Sequence, residues 1–403
     1  MDALTKIGMV MLSVILTVMS LELFAKLMAP PVENPRYLQI SQGYENLAQL
    51  LQDKYVPKLA YHDYYLYSLE PASTKTVTFT NYFGARSTPD SVGLAEADEL
   101  IWMFGGSTMQ NLETEDRLSI ANQMAVELFR NTVRAHVLNF GVGSFQSSLE
   151  AIKFQDLIRR VPINEIPTTV IFYDGFNDAN YGLWFGAGNI QSDLSRKMRA
   201  LVEGDYLRLA SYAFSQFLSR YSVFWKEFIA DRIFYTLFRV ERGQREDILT
   251  KTVSSYVLNI RMLGAICKEL SIRCLFILQP LVIYKDKPTP FEEEFIDSEG
   301  KDHLEFVKQF YRKASELLDH QQYFVDLSRM LAESQESDFY DLGHTSPFAG
   351  TKIGRALAKE VIGMRINHDL APLNGSRSYG RVAPKRRSSA ASPPHCRADQ
   401  HQS

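Results

Sequence analysis

Five short apolar runs alternate with longer stretches of helical periodicity between residues 99 and 366, and this rhythm constrains the fold more than any other feature of the sequence. Because the runs are almost continuously apolar, they predict strands buried on both faces. The predicted strands are 99–104, 135–140, 168–173, 274–278 and 323–327. The predicted helices are 120–130, 147–160, 248–270, 303–318 and 349–366. This alternation predicts an α/β protein, a three-layer α/β/α sandwich around a five-stranded parallel sheet.

The N-terminus carries a second strong signal. Residues 7–21 contain no charge, and residues 23–25 extend the apolar run past Glu22. About 18 such residues at ~1.5 Å each nearly cross a ~30 Å hydrocarbon layer. Lys6 precedes the run, which favours a cytoplasmic N-terminus with the remainder outside the cytoplasm. We predict a transmembrane anchor at 1–30, with a cleaved signal peptide or a buried core helix as the alternatives.

Three further segments frame or interrupt the α/β region, which we predict as one domain at 99–368. Residues 31–98 are rich in tyrosine and read as a membrane-proximal segment that packs on the domain. Residues 184–245 form an insertion with aromatic residues at helical spacing, which favours a packed core over a lid or a membrane-facing cap. Residues 369–403 are predicted to be a disordered basic tail, because 376–403 carry six Lys or Arg residues and one Asp.

Composition excludes several classes of function. A net charge of −3 on 403 residues gives no nucleic-acid-binding signature. The glycine-rich corner at 105–106 lacks the spacing of a nucleotide-binding loop, and the eight histidines are scattered, so we predict no cofactor and no metal. Free thiols are favoured at Cys267 and Cys274, although pairing stays open for a domain outside the cytoplasm. The glutamates at 292–294 read as a solvated helix face.

Four short polar stretches follow predicted strands or precede the last helix. They are GGST from Gly105, GVGSFQS from Gly141, GFND from Gly175 and DLGH from Asp341. Right-handed crossovers place the carboxyl ends of parallel strands at one edge of the sheet, where such sheets bind ligands. We therefore expect these four stretches to converge although they are far apart in the chain.

These stretches, in this order, resemble the four blocks of the SGNH (GDSL-type) hydrolase superfamily, in the form of a membrane-anchored bacterial-type member. The resemblance covers residues 99 to 368 and implies the flavodoxin-like fold of that family. It departs from the family at Gly106, where an aspartate is usual, and at Ser144, which aligns with the family's glycine beside Gly143.

The chemistry of these residue types agrees with the resemblance. A serine at 107 is a weak nucleophile until a base takes its proton, and His344 can be that base with Asp341 holding its imidazole. An anionic tetrahedral intermediate requires hydrogen-bond donors. The candidate donors are the backbone N–H groups of Ser107, Gly143 and Ser144 and the side-chain amide of Asn177. Supporting positions are predicted at Gly105, Gly106, Gly175 and Asp178.

The sequence thus predicts a membrane-anchored serine esterase, with its catalytic domain outside the cytoplasm, on the periplasmic side of the inner membrane if the cell is Gram-negative. Its expected substrates are esters of an O-acylated glycan or a lipid, cleaved through an acyl-serine intermediate. Two alternatives remain, an acyl transferase acting on envelope polysaccharide and a non-catalytic polymer-binding scaffold of the same fold.

Overall fold

A computed structural model describes residues 3–28, 57–185, 193–230, 233, 245–321 and 323–370. The predictions for 31–56 and for the tail beyond 370 therefore lie outside the described residues, as do parts of the aromatic insertion.

The N-terminal helix α1 (Ala3–Met28) is apolar and largely exposed. Its segment Met11–Met28 is long and apolar enough to cross a membrane, and only 6% of that segment is buried. Leu16, Met19 and Leu23 leave more than half of their surface uncovered, at 55%, 64% and 61%. The alternative of a buried core helix is therefore wrong, and the helix retains the properties of an anchor or a signal sequence.

Two small antiparallel pairs follow. Strand β1 (Leu59–His62) pairs with β2 (Leu66–Leu69), and β3 (Ala72–Ser73) pairs with β4 (Thr78–Phe79). Aromatic side chains of this segment pack with residues of the loop beyond the second strand of the main sheet. That cluster includes Tyr65, Tyr67, Phe79, Val142 and Phe145. The tyrosine-rich segment therefore buttresses one of the four polar stretches.

The main sheet has five parallel strands in the order β6-β5-β7-β8-β9. They are β5 (Glu99–Gly105), β6 (Ala135–Asn139), β7 (Thr169–Asp174), β8 (Arg273–Leu278) and β9 (Phe324–Asp326). This confirms the predicted five-stranded parallel sheet and its flavodoxin-like order. The chain moves outward from β5 to β6 and then returns to place β7 on the other side of β5. The crevice between the carboxyl ends of β5 and β7 is consequently the expected ligand site.

Helices cover both faces of the sheet, as the continuous apolar strands require. The helices after α1 are α2 (Ser107–Gln110), α3 (Ile120–Arg130), α4 (Ser147–Arg160), α5 (Phe176–Phe185), α6 (Asp193–Val202), α7 (Tyr206–Tyr221), α8 (Val223–Trp225), α9 (Arg245–Glu269), α10 (Pro290–Ser298), α11 (Lys301–Leu318) and α12 (Pro347–Leu370), of which α6, α7 and α8 belong to the insertion. Alternate residues of β5 serve the two layers: Trp102 and Phe104 face α4, α9 and α11, whereas Ile101 and Met103 face α3 and α12.

The aromatic insertion differs from its predicted packing. On α7, Phe214, Phe217 and Tyr221 are 61%, 58% and 70% exposed, and Tyr206 is 67% exposed. The expectation of a packed core is wrong for these residues. Helical spacing shows which residues share a face, but it does not show what covers that face.

Two other expectations are corrected. Cys267, at the end of α9, and Cys274, on β8, form a disulfide with their Cα atoms 6.0 Å apart, so they are not free thiols. Glu292 on α10 is completely buried, and its carboxylate accepts hydrogen bonds from Lys285 Nζ. Burial of this glutamate is possible because the lysine neutralises its charge.

Candidate active site

Ser107 stands on a corner where β5 meets α2. The helix is a single turn, ended by Asn111 in the left-handed conformation at φ 57°. A Cβ on Gly105 would lie 2.6 Å from the carbonyl oxygen of Tyr173. Glycine there lets β5 and β7 approach each other closely at the corner. With only one turn beyond Ser107, individual N–H groups rather than a long helix dipole are the available donors.

His344 and Asp341 approach Ser107 from the loop before α12. His344 Nε2 lies 2.8 Å from Ser107 Oγ, and its Nδ1 lies 2.6 Å from Asp341 Oδ2. Asp341 Oδ1 accepts hydrogen bonds of 2.8 Å from the backbone N–H groups of Gly343 and His344. The three side chains thus form one hydrogen-bonded chain across 237 positions of sequence.

The charges around His344 favour its protonated form. Burial alone would lower its pKa, but the charge of Glu113 and the hydrogen bond and charge of Asp341 outweigh burial and raise the pKa to about 9. For Asp341, burial alone would raise the pKa. Its hydrogen bonds to His344 and to the backbone outweigh burial and keep that pKa below its ordinary value. Asp341 therefore stays ionised beside the imidazole.

Asn177, the first side chain after Phe176 on α5, lies against the corner. Its Nδ2 donates a 2.7 Å hydrogen bond to the carbonyl oxygen of Phe145. A Cβ on Gly106 would lie 2.3 Å from that nitrogen. Any side chain at 106 would therefore collide with Asn177 in this arrangement. An amide carries two N–H donors, so one remains beyond the bond to Phe145.

The loop after β6 offers further donors. Ser144 adopts the left-handed conformation at φ 65°, and the carbonyl oxygen of Gly143 accepts a 2.9 Å hydrogen bond from Tyr67. No acceptor among the residues that the structure describes takes a hydrogen bond from the backbone N–H of Ser107, Gly143 or Ser144. These N–H groups are consequently available to a ligand.

Gly175 and Asp178 fix the conformation of the GFND stretch that carries Asn177. Gly175 has φ 106°, a conformation that favours glycine, and it turns the chain from β7 into α5. Asp178 accepts hydrogen bonds from the backbone N–H and the Oγ of Ser147, at 3.1 and 2.5 Å. Burial raises the pKa of Asp178 to about 6. This carboxylate ties α4 to α5 rather than facing Ser107.

Sequence reasoning missed two side chains near Ser107. Glu113 Oε1 lies 3.9 Å from His344 Nε2, and the other oxygen of this carboxylate is buried without a hydrogen-bond partner among the described residues. Gln279, which follows β8, accepts a 3.2 Å hydrogen bond from Thr108 Oγ1. Neither residue belongs to a recognisable motif. The position of Gln279 beyond a strand end was the only signal available.

A third missed residue is Arg86, which is fully buried behind the corner. Its guanidinium donates to the carbonyl oxygens of Gln110, Asn111 and Thr114 and pairs with Asp116 at 2.9 Å. Arg86 therefore holds in place the segment 110–114, in which Glu113 points towards His344.

Comparison with known proteins gives a likeness to solved structures. No family model matches the chain, and no curated protein matches it. The acetylxylan esterase Axe2 of Geobacillus stearothermophilus is similar at 13% identity and a TM-score of 0.37, over 66% of this chain and 94% of the esterase. A lipolytic protein of the G-D-S-L family from Desulfitobacterium hafniense is 10% identical with a TM-score of 0.35, over 65% of this chain and 99% of that one. A GDSL-like lipase from Bacteroides thetaiotaomicron is 11% identical with a TM-score of 0.33, over 66% of this chain and 89% of the lipase.

Two of these structures carry the GDSL name, and the third is named an acetylxylan esterase. The proposals below depend on the side-chain geometry of this chain rather than on that likeness.

Proposed function

We propose that this protein is a serine ester hydrolase in which Ser107, His344 and Asp341 act as nucleophile, base and orienting carboxylate. The observation that carries the proposal is the hydrogen-bonded chain from Ser107 Oγ to His344 Nε2 at 2.8 Å and from His344 Nδ1 to Asp341 at 2.6 Å. A hydroxyl, an imidazole and a carboxylate linked in this order form the arrangement that acyl-transfer enzymes use.

In the first half-reaction, Ser107 Oγ attacks the carbonyl carbon of the ester and its proton passes to His344 Nε2. The tetrahedral oxyanion is stabilised by the backbone N–H of Ser107, a backbone N–H of Gly143 or Ser144, and the free N–H of the Asn177 amide. The bond between the carbonyl carbon and the alcohol oxygen then breaks. The departing alcohol takes the proton back from His344 and leaves an acyl-serine.

In the second half-reaction, water replaces the alcohol. His344 removes a proton from water as it attacks the acyl-serine, and the same donors stabilise the second oxyanion. The carbon–Oγ bond breaks, Ser107 regains its proton from His344, and a carboxylic acid is released. Asp341 remains ionised and stabilises the imidazolium in both steps.

We further propose that the enzyme is anchored by α1 with its active site outside the cytoplasm, where it acts on O-acylated glycan or lipid esters. The apolar, exposed segment Met11–Met28 supports the anchor. The pairing of Cys267 with Cys274 supports an oxidising compartment, since disulfides are rare in the cytosol. The position of Lys6 before the apolar run supports the orientation.

The test is hydrolysis of nitrophenyl acetate by the full chain in detergent, together with labelling by a fluorophosphonate. We expect Ser107→Ala to abolish labelling and to lower kcat/KM at least about a thousandfold. Ser148→Ala, on α4 and outside the hydrogen-bonded chain, is the matched serine control. Labelling and turnover that persist in Ser107→Ala would contradict the proposal.

A further inference from the structure

The helical insertion has an unusual surface. On α7, Leu207, Phe214, Phe217 and Tyr221 are 80%, 61%, 58% and 70% exposed. Their spacing of seven, three and four residues places them on one side of the helix. The opposite side carries Ser215, which is 2% exposed and accepts a hydrogen bond from the indole N–H of Trp225. The helix therefore turns these four residues outward and Ser215 inward.

A water-soluble surface rarely exposes apolar side chains in such a continuous row. Arg220, also exposed, stands between Phe217 and Tyr221. A long basic side chain beside aromatic rings suits the boundary between hydrocarbon and anionic headgroups, where the stem is buried and the guanidinium reaches the phosphates.

The insertion is attached to α1. Glu22 accepts hydrogen bonds from Ser222 Oγ and the backbone N–H of Val223, both at 2.8 Å, and from the N–H of Phe224 at 3.2 Å. Glu22 lies within the apolar segment Met11–Met28, six residues from its end. At ~1.5 Å per residue, Glu22 holds the junction of α7 and α8 at a point about 9 Å along α1 from Met28, the end of the apolar segment.

The attachment also explains why an acidic residue is tolerated in the apolar helix. An ionised side chain within a membrane span requires a partner, and here the partners are N–H and O–H donors at the start of α8. Whatever surrounds the end of α1 consequently also surrounds the end of α7.

We propose that the outward side of α7, from Leu207 to Tyr221, inserts into the outer leaflet of the lipid bilayer that α1 crosses, so that the two helices hold the hydrolase domain by two attachments. The inference rests on the anchor proposed above. Its occupant is a lipid surface rather than a protein, because the row is continuous with a lipid-exposed helix through Glu22.

The experiment uses the full chain in vesicles of phosphatidylcholine and phosphatidylglycerol containing a nitroxide-labelled lipid. Cys396→Ser removes the third cysteine of the chain, and one new cysteine is introduced and labelled with a fluorophore. Phe217→Cys tests the row. Phe129→Cys is the matched control, since Phe129 is a phenylalanine of similar exposure, 60% against 58%, on α3 of the hydrolase domain.

We expect the nitroxide lipid to remove about half of the emission of the probe at 217 and to leave the probe at 129 nearly unchanged. Equal emission loss at both positions, or loss at neither while the protein floats with the vesicles, overturns the proposal. Protection of the probe at 217 from aqueous iodide without nitroxide quenching also overturns it, because a protein surface then covers the row.

The outcomes separate this proposal from those on which it depends. A protein that does not float with vesicles refutes the anchor and the insertion together. Hydrolysis of nitrophenyl acetate is measured on each labelled protein, so loss of ester hydrolysis is recorded independently of membrane contact.

Discussion

His344 lies between two carboxylates, and their charges determine the pH at which it can accept a proton. Asp341 contacts Nδ1, while Glu113 faces Nε2 at 3.9 Å from the side on which Ser107 also lies. A pKa raised to about 9 means that the neutral imidazole, the form that can act as base, is the minor form at pH 7. We expect kcat/KM for nitrophenyl acetate to rise about tenfold per pH unit below pH 8 and to level off near pH 9.

Replacing Glu113 by glutamine should move the acidic limb of that profile to lower pH by about one unit, because an opposite charge at this distance no longer favours the imidazolium. The measurement is kcat/KM from pH 5 to 10. Glu96→Gln is the control, since Glu96 precedes β5 at the other end of the sheet and is 68% exposed. If Glu113→Gln stays active and the acidic limb of its kcat/KM profile does not move, Glu113 does not set the pKa of His344.

Gly106 is a glycine because of the space it leaves rather than its backbone conformation. Its φ of −79° suits any residue, yet a Cβ would lie 2.3 Å from Asn177 Nδ2 and 3.1 Å from the carbonyl oxygen of Phe145. Gly106→Ala should therefore displace the amide and lower kcat by about a hundredfold to a thousandfold, the usual loss for one oxyanion donor. Gly93→Ala meets nothing within 4 Å and serves as the control. Full activity of Gly106→Ala would remove Asn177 from the oxyanion site.

At the scale of elements, a buried ion cluster connects three segments around the His344 loop. Lys285 Nζ lies 2.7 Å from Glu292 on α10 and 3.0 Å from Asp338, and all three side chains are fully buried. Glu292 also accepts the backbone N–H of Asp338 and of Phe339. The cluster thus fixes the chain a few residues before Asp341 and His344.

Lys285→Met should destabilise the protein by about 3–5 kcal/mol, because it leaves Glu292 buried without its cation and leaves Asp338 with only Lys352, 3.4 Å away. Urea unfolding followed by circular dichroism gives the free energy of unfolding. Lys287→Met, at an exposed position of the same loop, should change it little. The combined variant Lys285→Met, Glu292→Gln, Asp338→Asn should recover part of the loss. If Lys285→Met were as stable as the unaltered protein, the cluster would contribute nothing to the free energy of unfolding.

At the scale of the whole molecule, the pairing of Cys267 with Cys274 can be tested by counting free thiols. Of the three cysteines in the chain, only Cys396 should react with maleimide after denaturation without reductant, whereas all three should react after reduction. Mass spectrometry counts the added groups. Three labels without reductant, on protein prepared from an exported form, would show that the pair is not formed in the cell.

Much of the fold could be predicted because it depends on local patterns. The helices Ile120–Arg130 and Ser147–Arg160 have the predicted bounds, and all five strands begin and end within one residue of their predicted bounds. The last strand, Phe324–Asp326, is one residue shorter at each end than predicted. The helix that begins at Ser107 has a single turn, since Asn111 in the left-handed conformation ends it.

The candidate site likewise contains residues that could be predicted from the sequence and residues that could not. Ser107, Asn177, Asp341 and His344 could be selected beforehand because each follows a strand end or precedes a helix in a recognisable stretch. Glu113 could not be selected, because its position depends on how Arg86 holds its segment. For Gln279, the one signal in the sequence was its position directly after a strand.

The sequence by itself determined the α/β alternation, the parallel sheet and the apolar N-terminal helix, because burial on both faces of a strand and passage through lipid each require continuous apolar runs. Only the tertiary structure decided that Cys267 pairs with Cys274, that Glu292 is buried and that the aromatic side of α7 faces outward. Those outcomes depend on how separate elements are placed in space and on what covers each face. Residue spacing along one element contains no information about either.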